Sequence, residues 1–573
     1  MFMTRTIENG QLACVLTCAV LTGVVPDLVG SSYWSYSFQY VNVLVALAIV
    51  QNFLLYDANQ TSFGQGAIFG VGAYAAAMAM TSYGLYWPAA LLCAALAGCF
   101  VSIIYAVPAL RVQGYYLGFV TLSVAMVFPE MLMTFDEFTN GVNGISTPAG
   151  TWKQPLLFSL TPLSLLCAAV ACGAAIAHVA LRRSALGRKI RVAGASPEAA
   201  QTLGIRPGLV RSAVFCSTGA TMGAIGALYP PIVGFVSPAA FHLELSILLF
   251  LAVIVGGRGQ ILGPLAGIYM LYLVPNVLLV DLVDYRLLAY GVIALLVMLM
   301  LPDGLVGTLE RHLRTSSPIN GLRFSMADLP VSGGDPGAKG PAISVAAACK
   351  SFGSVKALDD VCLDVERGCI VGLVGANGSG KTSLINAITG FSQLDKGSII
   401  VRDSDISAKS PAAIAKLGVI RTFQTPRIFG SLTAWENIAI GSETVAAGKP
   451  AHDMLPDLHS QLRSLHTDAI PHGQRRSIEV LRAFLTNADI LLLDEPAAGL
   501  SKEERSQLAI LLRRLRDEAR RTIVIVEHDL DLVWRVADKI VAMENGRVVA
   551  HGSPGEMRQH KDIKKLFVSV EHA

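Results

Sequence analysis

The residues best suited to chemistry lie in the stretch "IVGLVGANGSGKTSLINAITG", which begins at Ile370. A short apolar segment, Ile370–Val374, leads into a glycine-rich loop that ends at Lys381 and Thr382. Glycines let backbone N–H groups close around phosphate oxygens, a lysine reaches the outer phosphates and a hydroxyl ligates Mg²⁺. The spacing therefore predicts an ATP site with Mg²⁺. The residues expected to bind the nucleotide are Gly375, Asn377, Gly378, Ser379, Gly380, Lys381, Thr382 and Ser383.

Two carboxylates end a second apolar segment, "ADILLLDEP". Asp494 at the end of this predicted strand is expected to hold Mg²⁺, together with Thr382. Glu495 is placed to polarise the attacking water as a general base. An acidic strand end that only caps a helix is the simpler alternative for Asp494 alone, and the phosphate loop argues against it.

Such a site needs an α/β domain, yet the composition requires a second, very different part. The chain has 573 residues, of which 53% are hydrophobic and 15% charged. This is too apolar for a soluble protein and too long for one domain. The net charge of +3 is not gathered into a basic stripe, so nucleic acid is not an expected partner. The 10 cysteines form no CxxC pair, which gives disulfides or zinc little support.

Before Pro302, apolar segments of membrane-spanning length follow one another. The pattern predicts a polytopic α-helical membrane domain of about ten spans; the third is glycine-rich and the eighth short, so either could be broken. The spans show no cluster of charges that would fix a ligand: Glu130 and Glu244 are interpreted as solvated or capping, and His178 as interfacial. The predicted spans are Gln11–Val29, Tyr40–Leu55, Gly64–Met80, Pro88–Leu110, Tyr115–Phe135, Thr161–Leu181, Ser212–Val233, Leu245–Val255, Leu262–Leu279 and Arg286–Leu301.

The charges between these spans predict their orientation. Lys153 and Arg286 fall on the side opposite the N-terminus, and many more basic residues fall on its own side, which is expected of a cytoplasmic N-terminus. The latter are Arg5, Arg111, Arg182, Arg183, Arg188, Lys189, Arg191, Arg206, Arg211, Arg258, Arg311 and Arg314. The polar stretch 191–208 is then cytoplasmic. Within it, Ser196-Pro197 signals the start of a short helix and Gly204 its end.

A Gly/Ser/Pro-rich stretch separates the two parts and reads as a flexible tether. The predicted division is a membrane permease domain at 1–310, a linker at 311–342 and an ATP-binding domain at 343–573.

The second part resembles the ATPase domain of ABC transporters over essentially all of Ile343–Ala573. The resemblance implies that Phe352 stacks on adenine, that Gln424 senses Mg²⁺ and the outer phosphate, and that His528 is the switch histidine. Gly473 and Gln474 match the signature that contacts ATP across a dimer, and "AAGLS" matches the loop that follows the carboxylates. Pro471 stands where the signature serine is expected, so that contact must come from backbone or glycine. The segment between Ala439 and Ile470 looks shorter than in most relatives.

The first part resembles permeases of branched-chain (hydrophobic) amino-acid importers, over most of Phe63–Leu301. The stretches of this sequence that carry the resemblance are "SFGQGAIFGVGAYAAAM", "GYYLGFVTLSVAMVF", "TNGVNGIS" and "AVIVGGRGQILGPLAGIYML". Importer permeases carry a cytoplasmic helix marked EAA, three residues and Gly, which docks on the ATPase. Glu198, Ala199, Ala200 and Gly204 reproduce that mark. An ordinary amphipathic surface helix is the alternative.

The resemblance implies an ATP-driven importer subunit of the bacterial inner membrane, with the N-terminus and ATPase in the cytoplasm. It also implies a second permease and ATPase, in a heteromer or a self-dimer, and a periplasmic binding protein beside membrane lipid. The substrate stays open among branched-chain or other neutral amino acids, urea or amides, and aromatic acids. A fused half-exporter and a membrane-tethered regulatory ATPase are the alternative functions. Docking of the EAA helix on its own or a partner's ATPase also stays open.

Overall fold

The chain folds into two units, and a short internal segment belongs to the second although both its sequence neighbours belong to the first. In a computed structural model, the first unit is Met1–Gly194 with Pro207–Ser317, and the second is Ala195–Arg206 with Pro318–Ala573. The structure describes the chain apart from residues 1, 112–113, 148–153, 155–158, 279–284, 314–325, 327–328, 330, 332–339, 445–450, 464, 466, 468–469, 471, 529 and 561–573.

The N-terminal half is helical because long apolar runs satisfy their own backbone hydrogen bonds only as helices in a membrane. Helix α9 is the part of this half that lies in the second unit. The helices are α1 Phe2–Val29, α2 Ser32–Asn52, α3 Gln65–Thr81, α4 Trp87–Arg111, α5 Tyr115–Thr134, α6 Asp136–Thr139, α7 Pro162–Arg183, α8 Ala185–Ala195, α9 Pro197–Thr202, α10 Pro207–Gly226, α11 Tyr229–Val233, α12 Leu243–Gly256, α13 Gly263–Ile268, α14 Arg286–Met300 and α15 Gly304–Leu313. Two short strands, β1 Ile145–Ser146 and β2 Phe235–Val236, pair antiparallel.

Each of the ten predicted apolar segments is helical for most of its described length. By length and composition, 7 helices among the described residues are long and apolar enough to cross a membrane. The glycine-rich third segment is the unbroken 17-residue helix α3. The ninth changes from α13 to a π-helical stretch at Tyr269–Leu278.

Glycines let three of these helices approach each other closely. A Cβ at Gly98 of α4 would lie 2.4 Å from the Gly219 carbonyl oxygen of α10. A Cβ at Gly72 of α3 would lie 2.2 Å from the carbonyl oxygen of Gly223, also on α10. Small residues at helix interfaces are the usual means of close packing in membranes. The glycines of the third segment therefore serve packing and do not break the helix.

Charged residues also come together in the first unit, at the ends of two predicted spans. Asp57, at the end of a π-helical turn after α2, lies 3.1 Å from His178 Nε2 and 3.2 Å from Arg182 Nε. The His178 side chain is 2% exposed, so it is buried among its protein neighbours. Sequence spacing does not show this cluster because tertiary packing brings the end of α2 to α7.

The second unit is an α/β domain with two sheets. Its strands are β3 Pro341–Phe352, β4 Val355–Glu366, β5 Ile370–Val374, β6 Lys396–Val401, β7 Ser404–Asp405, β8 Val419–Arg421, β9 Ile490–Asp494, β10 Thr522–Val526, β11 Lys539–Glu544 and β12 Arg547–Gly552. Its helices besides α9 are α16 Lys381–Ile388, α17 Pro411–Lys416, α18 Ala434–Thr444, α19 Ala451–Met454, α20 Pro456–Leu462, α21 His472–Leu485, α22 Lys502–Asp517, α23 Leu530–Val536 and α24 Pro554–Gln559.

The larger sheet has the order β12-β11-β5-β10-β9-β8, and the smaller has the order β4-β3-β6-β7. In the larger sheet β11, β5, β10, β9 and β8 pair parallel, while β12 is antiparallel. Strands β5, β9 and β10 are buried throughout. Unbroken apolar sequence is what a parallel strand covered on both faces requires.

The stretch predicted as a free tether is anchored at its described residues. Met326 is 2% exposed and Leu329 4% exposed, and both join the apolar core of the second unit. The backbone N–H of Met326 donates to the Gln507 side chain at 3.3 Å, and Arg514 donates to the Leu329 carbonyl at 3.0 Å. Met326 and Leu329 pack beside α22. The Pro/Gly-rich composition around them predicted a flexible segment and gave no sign of these apolar contacts.

Candidate functional site: an ATP site and a docked helix

The predicted site residues follow four neighbouring parallel strands at one edge of the larger sheet. The phosphate loop follows β5, His528 follows β10, Asp494 ends β9 with Glu495 directly after it, and Gln424 follows β8. Because the carboxyl ends of parallel strands meet at one edge, residues far apart in sequence converge there.

The phosphate loop has the backbone that its glycines predict. Gly375 has φ +156°, and a Cβ there would lie 2.2 Å from the Met543 carbonyl oxygen. Gly380 has φ +101°, and a Cβ there would lie 2.5 Å from the Ala357 carbonyl oxygen. Any side chain at these positions would force the loop away from the sheet. Asn377 and Gly378 are exposed at the tip of the loop.

Lys381 curls back over its own loop. Its Nζ donates to the carbonyl oxygens of Gly375 at 2.9 Å and Ala376 at 2.8 Å, and to Ser379 Oγ at 3.2 Å. Burial lowers the pKa of Lys381, while the nearby carboxylates of Glu495 and Asp494 oppose this shift. The ammonium group is thus held where the loop turns, with Thr382 exposed and Ser383 half-buried beside it.

Three predicted catalytic residues are in direct contact. Glu495 Oε1 accepts a hydrogen bond from Gln424 Nε2 at 3.0 Å and lies 3.2 Å from His528 Nε2. Glu495 also has a φ of +48°, an uncommon conformation for a residue with a side chain. Its backbone N–H donates to the Val526 carbonyl at 2.8 Å, which holds that turn against β10. Strained residues of this kind cluster at active sites.

Asp494 has a partner that the sequence reasoning missed. Arg421 Nη2 donates to Asp494 Oδ2 at 3.0 Å, and the two side chains are only 5% and 4% exposed. The other Nη of Arg421 hydrogen-bonds Asn386 of α16. Burial lowers the pKa of Arg421, and Asp494 is the first of the carboxylates that oppose the shift. Arg421 ends β8, and the pairing of β8 with β9, which the sequence does not show, brings it to Asp494.

The residues predicted to hold Mg²⁺ are of the right chemical kind. Thr382, Asp494 and Gln424 offer hydroxyl, carboxylate and amide oxygens, which Mg²⁺ prefers. The Gln424 contact with Glu495 uses its amide nitrogen and leaves its oxygen for a ligand role. The donor set therefore fits a Mg²⁺ that is shared with nucleotide phosphates.

The remaining nucleotide contacts lie apart from this cluster. Phe352 ends β3 and is 55% exposed, with the Lys350 ammonium 5.6 Å from its ring centroid. Gly473 and Gln474 lie in the first turn of α21. Pro471, which replaces the signature serine, lies outside the described residues. In the described part of the segment between Ala439 and Ile470, the short helices α19 and α20 follow α18.

A buried ion pair ties α21 to the loop that carries Gln424. Arg476 pairs with Glu479 at 2.9 Å and donates to the carbonyl oxygens of Phe423 and Gln424. Glu479 Oε1 accepts from the backbone N–H groups of Phe423 at 3.4 Å and Arg427 at 3.3 Å. Both side chains of the pair are 2% exposed. The helix that starts at the signature therefore fixes the backbone on which Gln424 lies.

Helix α9 carries Glu198, Ala199 and Ala200 and is capped at both ends, as its sequence predicts. The Ser196 side chain accepts from the Ala199 N–H at 3.4 Å. At the other end Gly204 N–H donates to the Gln201 carbonyl at 3.0 Å, and Ile205 N–H to the Ala200 carbonyl at 3.1 Å. This pair of bonds around a glycine with φ +74° is a Schellman cap. Six residues thus form a rigid body.

This helix packs on the second unit of its own chain. Helix α9 lies against α17, and a Cβ at Gly204 would lie 3.3 Å from Lys416 Cγ. Glu198 Oε2 lies 3.2 Å from Arg427 Nη2. Phe429, two residues after Arg427, does not line this surface: it is fully buried, and the Arg482 Cζ lies 4.6 Å from its ring centroid. The docking surface is therefore α17 and Arg427.

Comparison with known proteins follows this division of the chain. The profile described as "Branched-chain amino acid transport system / permease component" matches residues 33–301, and the profile described as "ABC transporter" matches residues 358–498. Over 249 residues the chain is 32% identical to the high-affinity branched-chain amino acid transport ATP-binding protein BraF of Pseudomonas aeruginosa, and the match covers 98% of that protein and 40% of this chain. The chain belongs to the branched-chain amino acid transport family of ABC transporters.

Other similar proteins match the second part of this ABC transporter. It is 30% identical over 249 residues to the high-affinity branched-chain amino acid transport ATP-binding protein LivG of Escherichia coli, covering 98% of that protein and 40% of this chain. A solved ATP-binding cassette of an ABC transporter, MJ1267, is 29% identical with a TM-score of 0.36, covering 99% of that chain and 40% of this one. The predicted fold, the family resemblance and the ATP hydrolase activity of this ABC transporter are confirmed.

Proposed function

We propose that this ABC transporter imports a small solute by coupling ATP hydrolysis in its second unit to its permease. The observation that carries the proposal is the position of α9. Its sequence lies between the permease helices α8 and α10, yet it packs on α17 of the ATPase. A rigid, doubly capped helix can pass a rigid-body movement of the ATPase to both flanking helices. A regulatory ATPase that moves no solute gives no account of this helix.

In the ATP site, each residue has a role that its geometry supports. The phosphate loop and Lys381 bind the phosphates, and the exposed Phe352 ring stacks on adenine. Thr382, Gln424 and Asp494 would hold Mg²⁺, which would supply positive charge to neutralise the phosphates.

Glu495 accepts a proton from the attacking water. The water oxygen bonds to the γ-phosphorus as the bond from that phosphorus to the ADP oxygen breaks. Gln424 and His528 hold the Glu495 carboxylate through the contacts at 3.0 and 3.2 Å. Gly473 and Gln474 complete a second nucleotide site across an ATPase dimer.

The domain division proposed is a permease at 1–310, a linker at 311–342 and an ATPase at 343–573, with the coupling loop at 191–208. The partners are a second permease and ATPase, in a heteromer or a self-dimer, and a periplasmic binding protein. The site of action is the bacterial inner membrane, with the N-terminus and ATPase in the cytoplasm. Branched-chain or other neutral amino acids are the proposed solutes, because BraF and LivG are named for branched-chain amino acid transport.

Uptake by the full chain tests the proposal. The protein is reconstituted in proteoliposomes with its candidate binding protein, with ATP on the ATPase side and radiolabelled L-leucine, L-alanine, urea or benzoate on the other. We expect ATP-dependent accumulation of an amino acid, with Glu495→Gln as the inactive control. Movement in the opposite direction would indicate an exporter. ATP turnover without movement of any of these solutes would favour a regulatory ATPase.

A further inference from the structure

Two arginines lie against the same aromatic ring in the loop that carries Gln424. The Cζ of Arg421 is 5.3 Å from the Phe423 ring centroid, and the Cζ of Arg427 is 5.7 Å from it. Guanidinium groups at such distances are attracted by the ring's π-electrons. Arg421, Phe423 and Arg427, called the arginine stack below, therefore form a continuous set of contacts.

At its inner end the arginine stack holds a carboxylate of the ATP site. Arg421 Nη2 donates to Asp494 Oδ2 at 3.0 Å, and Arg421 also bonds Asn386 on the helix that begins at Lys381. Guanidinium and carboxylate are almost completely buried, so a break in this pair would leave a charge uncompensated. The geometry leaves Asp494 little freedom to rotate.

At its outer end the arginine stack meets the docked helix. Arg427 Nη2 lies 3.2 Å from Glu198 Oε2, and the two side chains are 46% and 58% exposed. The Arg427 backbone is held separately, through its N–H bond to Glu479 at 3.3 Å. Loss of Glu198 would thus free the Arg427 side chain from its place on Phe423 without moving the loop.

We propose that Arg421 is the positioning residue of Asp494, and that the arginine stack makes its hold on Asp494 depend on docking of Glu198. When α9 is docked, Glu198 keeps Arg427 against the Phe423 ring, and Phe423 keeps Arg421 in place. Arg421 in turn fixes Oδ2 of Asp494. The inference rests on the proposed metal role of Asp494, and its chemistry concerns the divalent cation that accompanies ATP.

The first experiment measures Mg²⁺ dependence of nucleotide binding by the full chain in nanodiscs. Binding of a fluorescent, non-hydrolysable ATP analogue is followed as Mg²⁺ is titrated, and again in EDTA. We expect Arg421→Met to raise the Mg²⁺ concentration at the midpoint of the titration by roughly 10-fold or more, as is typical when a residue that holds a metal ligand is lost. Binding in EDTA should stay near the wild-type value. Arg421→Lys should recover part of the shift, because it keeps the charge but loses the fork that reaches Asn386.

Two further variants keep this test decisive. If thermal unfolding shows that Arg421→Met is not folded, Asn386→Ala is used in its place. Asn386→Ala frees one arm of the Arg421 guanidinium and leaves the ion pair with Asp494 intact. It should shift the Mg²⁺ midpoint in the same direction. An unchanged midpoint in a folded Arg421→Met or Asn386→Ala protein would overturn the inference, as would tighter Mg²⁺ binding. Asp494→Asn separates the two proposals: if its midpoint is also unchanged, the metal role of Asp494 has failed instead.

The second experiment tests the outer end of the arginine stack. We expect Glu198→Gln and Arg427→Met to raise the Mg²⁺ midpoint by about 2- to 5-fold, since exposed ion pairs contribute little. Glu198→Gln should add nothing in the Arg421→Met background, because both changes act through one contact set. Glu518→Gln breaks another exposed pair, with Arg514 at 2.8 Å, and serves as the matched control. Additive effects, or an equal shift in the control, would overturn the link to Glu198.

Discussion

Replacement of Gly204 by alanine should undock α9 while leaving both domains folded. Gly204 has φ +74°, a left-handed conformation that costs a residue with a Cβ about 1–2 kcal/mol. The added Cβ would also lie 3.3 Å from Lys416 Cγ, which must shift slightly. A loss of this size lowers the equilibrium constant between the docked, capped helix and the undocked helix by about 5- to 30-fold.

The choice of substitution matters at this position. An aspartate would be a weaker test than alanine, because Asp tolerates the left-handed region and its carboxylate would lie near the Lys416 side chain. Asparagine is the conservative variant, since it is also accepted at helix ends of this kind. Gly430→Ala is the matched control in the same unit, because no atom lies within 4 Å of a Cβ built there.

The assay measures docking in a double-cysteine background, and ATP turnover and uptake in the same Gly204 variants with Glu198 and Arg427 intact. Docking is measured as the rate at which a short bis-maleimide joins cysteines placed at Glu198 and Arg427, whose side chains meet at 3.2 Å. We expect Gly204→Ala to lose most crosslinking and uptake while keeping ATPase activity, and Gly204→Asn to keep more of each. Wild-type crosslinking and uptake in Gly204→Ala would refute the reasoning. Parallel loss of ATPase activity would show that the change disrupts the fold rather than the coupling.

Three further outcomes are expected. Glu495→Gln should bind ATP normally but not hydrolyse it, whereas Lys381→Ala should weaken ATP binding. Measurements of equilibrium nucleotide binding and of phosphate release separate the two effects. Hydrolysis at the wild-type rate by Glu495→Gln would disprove the role of Glu495 as the base. A cysteine at the exposed Val142 should react with an impermeant thiol reagent in intact cells, and one at the partly exposed Arg188 only after permeabilisation; the reverse labelling would invert the topology. Met326→Ala should lower the free energy of unfolding of the ATPase unit by about 2–5 kcal/mol, because most of a buried side chain is lost. Denaturant unfolding of the full chain measures this loss, and an unchanged transition would show that Met326 is not part of the core.

The sequence was most informative where local chemistry dictates local structure. The phosphate loop requires glycines at Gly375 and Gly380 because the backbone approaches neighbouring carbonyl oxygens, and no other residue fits. The caps of α9 are also local, since Ser196 and Gly204 bond backbone groups within a few residues. Apolar runs of membrane-spanning length likewise predict helices without knowledge of their neighbours.

Contacts between distant segments could not be predicted in this way. Arg421 is 73 positions from Asp494, and only the pairing of β8 with β9 makes them neighbours. Asp57 and His178 are 121 positions apart and meet only because α2 packs on α7. A polar residue considered without its distant partner is therefore interpreted as solvated, because the partner lies far away in the sequence.

The sequence by itself determined the phosphate loop, the carboxylates, the capped EAA helix and the division into an apolar and an α/β part, because each depends on residue types at short spacing. Only the tertiary structure decided which residues hold those groups in place. It paired Asp494 with Arg421, anchored Met326 and Leu329 on the ATPase, buried Phe429 and set Glu198 against Arg427. The physical reason is that strand order and helix packing, which no short stretch specifies, determine which distant side chains meet.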